Sequence, residues 1–140
     1  MPSFPSLAGP PSDGVVALRL SEERDIPEIL IAYQDDRLLP GALGEERPPS
    51  GAALGSRAER AAEDRRVGRA LTLTILREGS DICVGEVRIG DVDWQTRKAS
   101  VQVWLAPALR GQGVARRAHA LALDWLGREC GLEGVCRRAS

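Results

Sequence analysis

Apolar and polar positions repeat with two different periods along this chain, and each change of period marks an element. Residues 15–20 (VVALRL) form a short β-prone run. Ile26, Ile29, Leu30 and Tyr33 then recur at helical spacing. Ser21 is a candidate N-cap for this helix, with Glu22, Glu23 and Asp25 suited to the positive end of its dipole. Asp25 with Glu28 offers a second start, near which Pro27 is tolerated. Pro40-Gly41 is expected to end the helix, and residues 40–55 have the composition of a loop. Residues 56–69 (SRAERAAEDRRVGR) predict a charged helix with a narrow apolar face, opened by the capping-box pair Ser56 and Glu59.

Three strands are predicted next. Over residues 71–76, Leu71, Leu73 and Ile75 share one face. Over 82–89, Cys83, Val87 and Ile89 share one face, and Val84, Glu86 and Arg88 the other. Over 98–105, Ala99, Val101, Val103 and Leu105 fall together. Short polar turns join them, which predicts an antiparallel meander. The period then returns to that of a helix: Val114, Ala118, Leu121, Ala122, Trp125 and Leu126 lie on one stripe. Gly131 is its natural stop, and residues 132–136 begin one more strand. The pattern is that of an α/β domain, a mixed and mainly antiparallel sheet flanked by helices.

Composition narrows the function. The chain has 140 residues, which predicts one domain over 15–136, with flexible tails at 1–14 and 137–140. Residues 1–14 are rich in Pro, Ser and Gly and have no apolar core of a secretory signal. A net charge of −1 disfavours a nucleic-acid or anionic-membrane coat. No apolar run reaches the ~20 residues of a membrane span. The basic residues are 18 Arg and Lys98 alone, a bias that accompanies abundant Ala, Gly and Pro. Cys83, Cys130 and Cys136 lack metal-ligand spacing and read as reduced thiols of a cytoplasmic protein, with no metal expected.

The segment that carries chemistry is Pro107 to Ala115, a Pro-containing turn running from a strand into Arg110-Gly111-Gln112-Gly113-Val114-Ala115 at a helix start. Glycines let successive N–H groups turn toward one anion, and a helix N-terminus adds about half a positive charge. Gly-Lys-Ser/Thr is missing, so this is not a Walker loop, and no parallel βαβ unit leads into it. A tight turn without ligand is the alternative for Gly111 and Gly113, and a solvated face for Arg116 and Arg117.

Residues 100–135 resemble motif A of the GNAT N-acetyltransferases, nearest the branch that acetylates ribosomal-protein N-termini. The Arg/Gln-x-x-Gly-x-Gly/Ala signature is matched by Arg110, Gly113 and Ala115, and its entry by Val103-Trp104-Leu105-Ala106-Pro107. Asp124-Trp125-Leu126 and Gly131-Leu132-Glu133 match its ending, and the resemblance covers residues 15–136. It implies a GNAT-like fold and transfer of acetyl from the cosubstrate acetyl-CoA to a primary amine, on a protein N-terminus or a small molecule. It implies that Val103, Trp104 and Leu105 line the pantetheine, and that Arg110, Gly111, Gln112, Gly113, Val114 and Ala115 hold the pyrophosphate. A strand N–H, Val103's or a neighbour's, would polarise the acetyl carbonyl.

Two departures follow. The glutamate frequent on the family's fourth strand aligns near Ser100, which cannot act as a base; Glu86 on the neighbouring strand is the candidate in its place, with Asp91 and Asp93 as others. The family also continues past Gly-Leu-Glu with further strands and a helix, whereas this chain stops inside the fifth strand. The expectation is an incomplete GNAT fold exposing a pairing edge beside residues 101–105. Such a chain would be a truncated enzyme, a non-catalytic acyl-CoA-binding remnant, or a module completed by another chain, including a homodimer by edge pairing. Tyr33, Trp94, Trp104, Trp125 and His119 read as packing or surface residues, and Asp35-Asp36 as solvated charge or an attractor of a cationic amine.

Overall fold

The computed structural model describes residues 3–7 and 11–136. Its order is β1 (Val16–Leu20), α1 (Ile26–Asp35), α2 (Leu39–Ala42), α3 (Gly51–Arg66), β2 (Leu71–Arg77), β3 (Gly85–Asp93), β4 (Lys98–Leu105), α4 (Val114–Trp125) and β5 (Glu133–Cys136). The strands lie in one sheet in chain order. β1 to β4 are antiparallel, and β5 returns parallel to β4 after α4.

Alternation along the strands splits the sheet into two faces. Val16, Leu18, Leu71, Leu73, Ile75, Val87, Ile89, Ala99 and Val101 are buried on one, against Val114, Ala118, Ala122 and Trp125 of α4. The opposite face carries a smaller cluster of Ile29, Ala32, Tyr33, Leu39, Leu54 and Trp104, roofed by α1, α2 and α3. The stripe read along α4 is the one that packs. The helix continues through a π-type turn, Leu126–Cys130, to Gly131 in the left-handed conformation.

Several boundaries differ from the expectations. Ser21 is not the cap: the Glu22 N–H is held by the Asp25 carboxylate at 3.0 Å, and α1 follows a 3₁₀ turn over Glu23–Asp25. α1 stops at Asp35, and Pro40-Gly41 lies inside α2, where a proline in the first turn has no N–H to lose. α3 starts before Ser56, because the Ser50 hydroxyl accepts from Ala53 N–H at 3.1 Å. Cys83 does not share a face with Val87. It precedes the ladder, which opens at Gly85, and is buried in the smaller cluster instead. Within 1–14, Phe4 is 7% exposed. Its ring lies 5.7 Å from that of Trp94 and 6.4 Å from that of Trp125, and its N–H donates to Arg65 O. The tail expected at 137–140 lies outside the described residues. Among the described residues, no helix is long and apolar enough to cross a membrane.

The exposed edge expected beside residues 101–105 is shorter than that. β5 pairs with β4 from Lys98 to Val101, and its described residues go no further. Among the described residues, Gln102 to Leu105 have a strand neighbour on the β3 side alone.

Candidate active site

Backbone direction at the open edge follows from two hydrogen bonds. Ala106 N–H donates to Val84 O at 2.8 Å, so it points toward the β3 side. On the opposite side, Glu133 N–H donates to Arg97 O at 2.8 Å. With a period of two, Gln102 and Trp104 turn their N–H and C=O groups toward β3. Val103 and Leu105 turn theirs to the open edge. The Leu105 carbonyl is met there by Arg110 Nη2 at 3.1 Å.

This edge forms one wall of a cleft of about 450 Å³. Val103, Trp104 and Leu105 line it from β4, Arg110 from the following turn, Ala115 from the first turn of α4, and Leu39 and Leu43 from the α2 segment. Arg110 also reaches Asp36 at 2.5 Å, tying the end of α1 to the turn. The Arg110 hydrogen bond, joined by the Leu38 N–H, holds the Asp36 carboxyl below the usual carboxylate range.

The turn is built to leave donors free. Gly111 and Gly113 have φ of 79° and 77°, a region that Cβ-bearing residues avoid, and beyond the adjoining backbone nothing lies within 4 Å of where their Cβ would stand. Gly113 opens α4 with no side-chain cap, and the first N–H groups of a helix have no intrahelical acceptor. Gln112 is held apart from them, accepting from Arg77 at 2.9 Å and donating to Ala108 O at 3.2 Å. Arg117 turns to Asp13 at 2.9 Å.

Trp104 is fixed from behind. Its indole N–H donates to Glu86 Oε1 at 3.0 Å, and its ring packs 6.3 Å from that of Tyr33. Glu86 is 5% exposed, and Ser21 and Arg88 also approach it, each at 3.4 Å. It lines a small cavity of about 70 Å³ under α3, not the cleft. Asp91 and Asp93 stand at the far end of β3; Asp91 accepts from Ser100 Oγ at 3.2 Å.

Sequence reading missed the α2 wall and a second group beside the cleft. Tyr33 donates to Glu45, which also accepts from Arg57 at 2.5 Å. No spacing signals these contacts, because they join a helix, a loop and a second helix. Burial first, then the Glu45 hydrogen bond, raises the Tyr33 pKa. His119 Nε2 is buried without a partner in α4. Among the described residues, no cluster of His, Cys, Asp and Glu could hold a metal ion.

The profile of the acetyltransferase (GNAT) domain family matches residues 16–140. The chain belongs to the GNAT family. No curated protein sequence matches this GNAT domain. Its fold is shared with an acetyltransferase of Salmonella typhimurium that modifies the N-terminal serine of ribosomal protein L7/L12 (TM-score 0.77, 16% identity, 91% of this chain and 72% of that one). It is also shared with spermidine N-acetyltransferase of Vibrio cholerae, solved with CoA and spermine (0.74, 22%, 86% and 68%). A third is the ribosomal-protein-S5-alanine acetyltransferase of Vibrio fischeri (0.72, 17%, 89% and 70%). The GNAT chain thus spans roughly 70% of the length of these structures.

Proposed function

We propose that this protein transfers the acetyl group of acetyl-CoA to a primary amine, on a protein N-terminus or a small molecule, by direct attack. The observation that carries the reading is the open edge of β4, with the Val103 N–H directed into a cleft that ends at the uncapped start of α4. Family membership supports it, as does CoA in the Vibrio cholerae relative.

Acetyl-CoA supplies an acetyl group already activated as a thioester. The Val103 N–H donates to the carbonyl oxygen as charge builds on it, and a preorganised donor of this kind is worth about 3 kcal/mol. The N–H groups from Gly111 to Ala115 and the α4 dipole hold the diphosphate. Arg110 anchors that turn to Leu105 and Asp36. The amine nitrogen bonds to the acetyl carbon, the C–S bond breaks, CoA leaves as thiolate, and the surplus proton passes to solvent. Glu86 serves by position, holding the Trp104 indole in the cleft wall; its enclosed oxygens support that role over proton abstraction. In this reading the open β4 edge is occupied by cosubstrate rather than by a second copy. Buried Cys83 and Cys130 fit a reducing cytoplasm.

Calorimetric titration with acetyl-CoA, beside thermal unfolding, tests this. Micromolar binding is expected, with about 2.7 kcal/mol of added stability at a hundredfold excess over Kd. Gly113→Ala strains the left-handed position by about 1 kcal/mol and weakens binding while the fold persists. Cooperative unfolding with no binding by the unmodified chain overturns the proposal.

A further inference from the structure

We propose that the pocket adjoining the cleft recognises a carboxylate, so that the acceptor is an amine carrying an acidic group nearby and not a polyamine. This rests on the acetyltransferase reading above. The pocket measures about 290 Å³ and shares Leu43 and Gln102 with the cleft. Strand register puts Thr72, Arg88 and Gln102 in one row across β2, β3 and β4. Gln102 immediately precedes Val103, so an amine presented to the open edge brings the rest of its molecule against this row.

The chemistry of the lining has one sign. Arg57 and Arg88 line the pocket with the neutral groups of Thr72, Ser100 and Gln102, and no carboxylate does. The acids that balance the arginines sit deeper. Glu45 and Glu86 side chains are 16% and 7% exposed, against 37% for Arg57 and 23% for Arg88. Each acid is also committed elsewhere, Glu45 to Tyr33 and Glu86 to Trp104 and Ser21. Arg57 meets Glu45 through Nη2 and Arg88 meets Glu86 through Nη2. A guanidinium has five N–H donors in a planar fork, so donors remain on both for an incoming carboxylate. Asp36, the acid lining the cleft, is held by Arg110. A polycation would meet two arginines with no free acid among them.

The test is calorimetric binding to the full chain saturated with CoA, which needs no turnover. The probes are Ser-Asp-Gly amide, Ser-Lys-Gly amide, Ser-Gly-Gly amide, free glutamate and spermidine. The acidic tripeptide is expected to bind at least about tenfold tighter than the lysine one, and less so at high salt. Arg57→Gln and Arg88→Lys are each expected to reduce that advantage to below about threefold, with CoA and neutral-tripeptide affinity unchanged. Arg88→Lys keeps a cation beside Glu86, so the fold does not depend on the outcome; the unfolding midpoint verifies this. Glutamate binding as well as the acidic peptide identifies a small-molecule acid. Binding of the peptide alone identifies a protein N-terminus, and either supports the proposal. Equal or tighter binding of the lysine peptide or spermidine overturns it, as does CoA binding with no acidic probe bound. If CoA itself fails to bind, the acetyltransferase reading falls, and the same titrations with the free chain decide the carboxylate subsite by the same criteria. Turnover that prefers spermidine keeps the enzyme and rejects the subsite.

Discussion

Trp104 owes its place in the cleft wall to one buried carboxylate. Leaving an indole N–H unpaired in that setting costs about 1–3 kcal/mol, so Glu86 stabilises the wall as long as it accepts. Gln at this position still accepts from the indole. Glu86→Gln is therefore expected to lower kcat/KM by less than about tenfold and to leave the acid limb of the pH–rate profile in place. A loss of about a hundredfold or more with a flattened limb would instead make Glu86 the base. Burial, followed by the nearby Glu86 charge, pushes the Cys83 thiol up to about 12, and burial followed by Glu129 pushes Cys130 to about 11. At this scale the glycine turn that opens α4 was legible, because its residues are contiguous. Tyr33, Glu45, Arg57 and Arg88 were not legible as a group, because nothing in their spacing joins them.

Elements declare their periods in sequence more clearly than their ends. β4 and the α4 stripe run as read, since each buries one continuous face. α3 begins at Ser50 because that hydroxyl reaches the Ala53 N–H; Ser56 has equally good capping chemistry but stands within the formed helix. Ser50→Ala is accordingly expected to cost about 1 kcal/mol in urea denaturation, and Ser56→Ala to be neutral or slightly stabilising. Equal effects at both positions would move the cap. Gly85 shows why β4 lies where it does. A Cβ there would overlap the Trp104 carbonyl oxygen and stand 3.0 Å from Leu105 Cα, so glycine sets how closely β3 approaches the strand that forms the cleft.

Across the whole molecule, acidic side chains act as ties between distant elements. Asp25 joins β1, β2 and the start of α1 through Arg19, Thr74 and the Glu22 N–H. Burial opposes its ionisation, but these partners outweigh it and hold its pKa below the ordinary 3.8. Asp13 is lowered from 3.8 to about 2 by the Val16 and Val15 N–H groups and then Arg117. A carboxyl whose folded pKa is depressed contributes stability in full above its unfolded value and loses it as pH falls through the folded one. Denaturant midpoints are thus expected to hold steady from pH 7 to about 5 and to fall between about pH 4 and 2. A midpoint unchanged across that lower range would show these ties to be slack. The sequence by itself determined the two-faced sheet, the α4 stripe, and the Arg110–Ala115 turn with its donors, because periodicity and turn chemistry act over a few residues. Only the tertiary structure decided that β5 runs parallel to β4 beside Lys98 to Val101, that Glu86 faces Trp104 rather than the cleft, and that two arginines from α3 and β3 line one pocket. Those outcomes depend on strand register and on helices docking across the sheet, where contacts between residues far apart in the chain settle the arrangement.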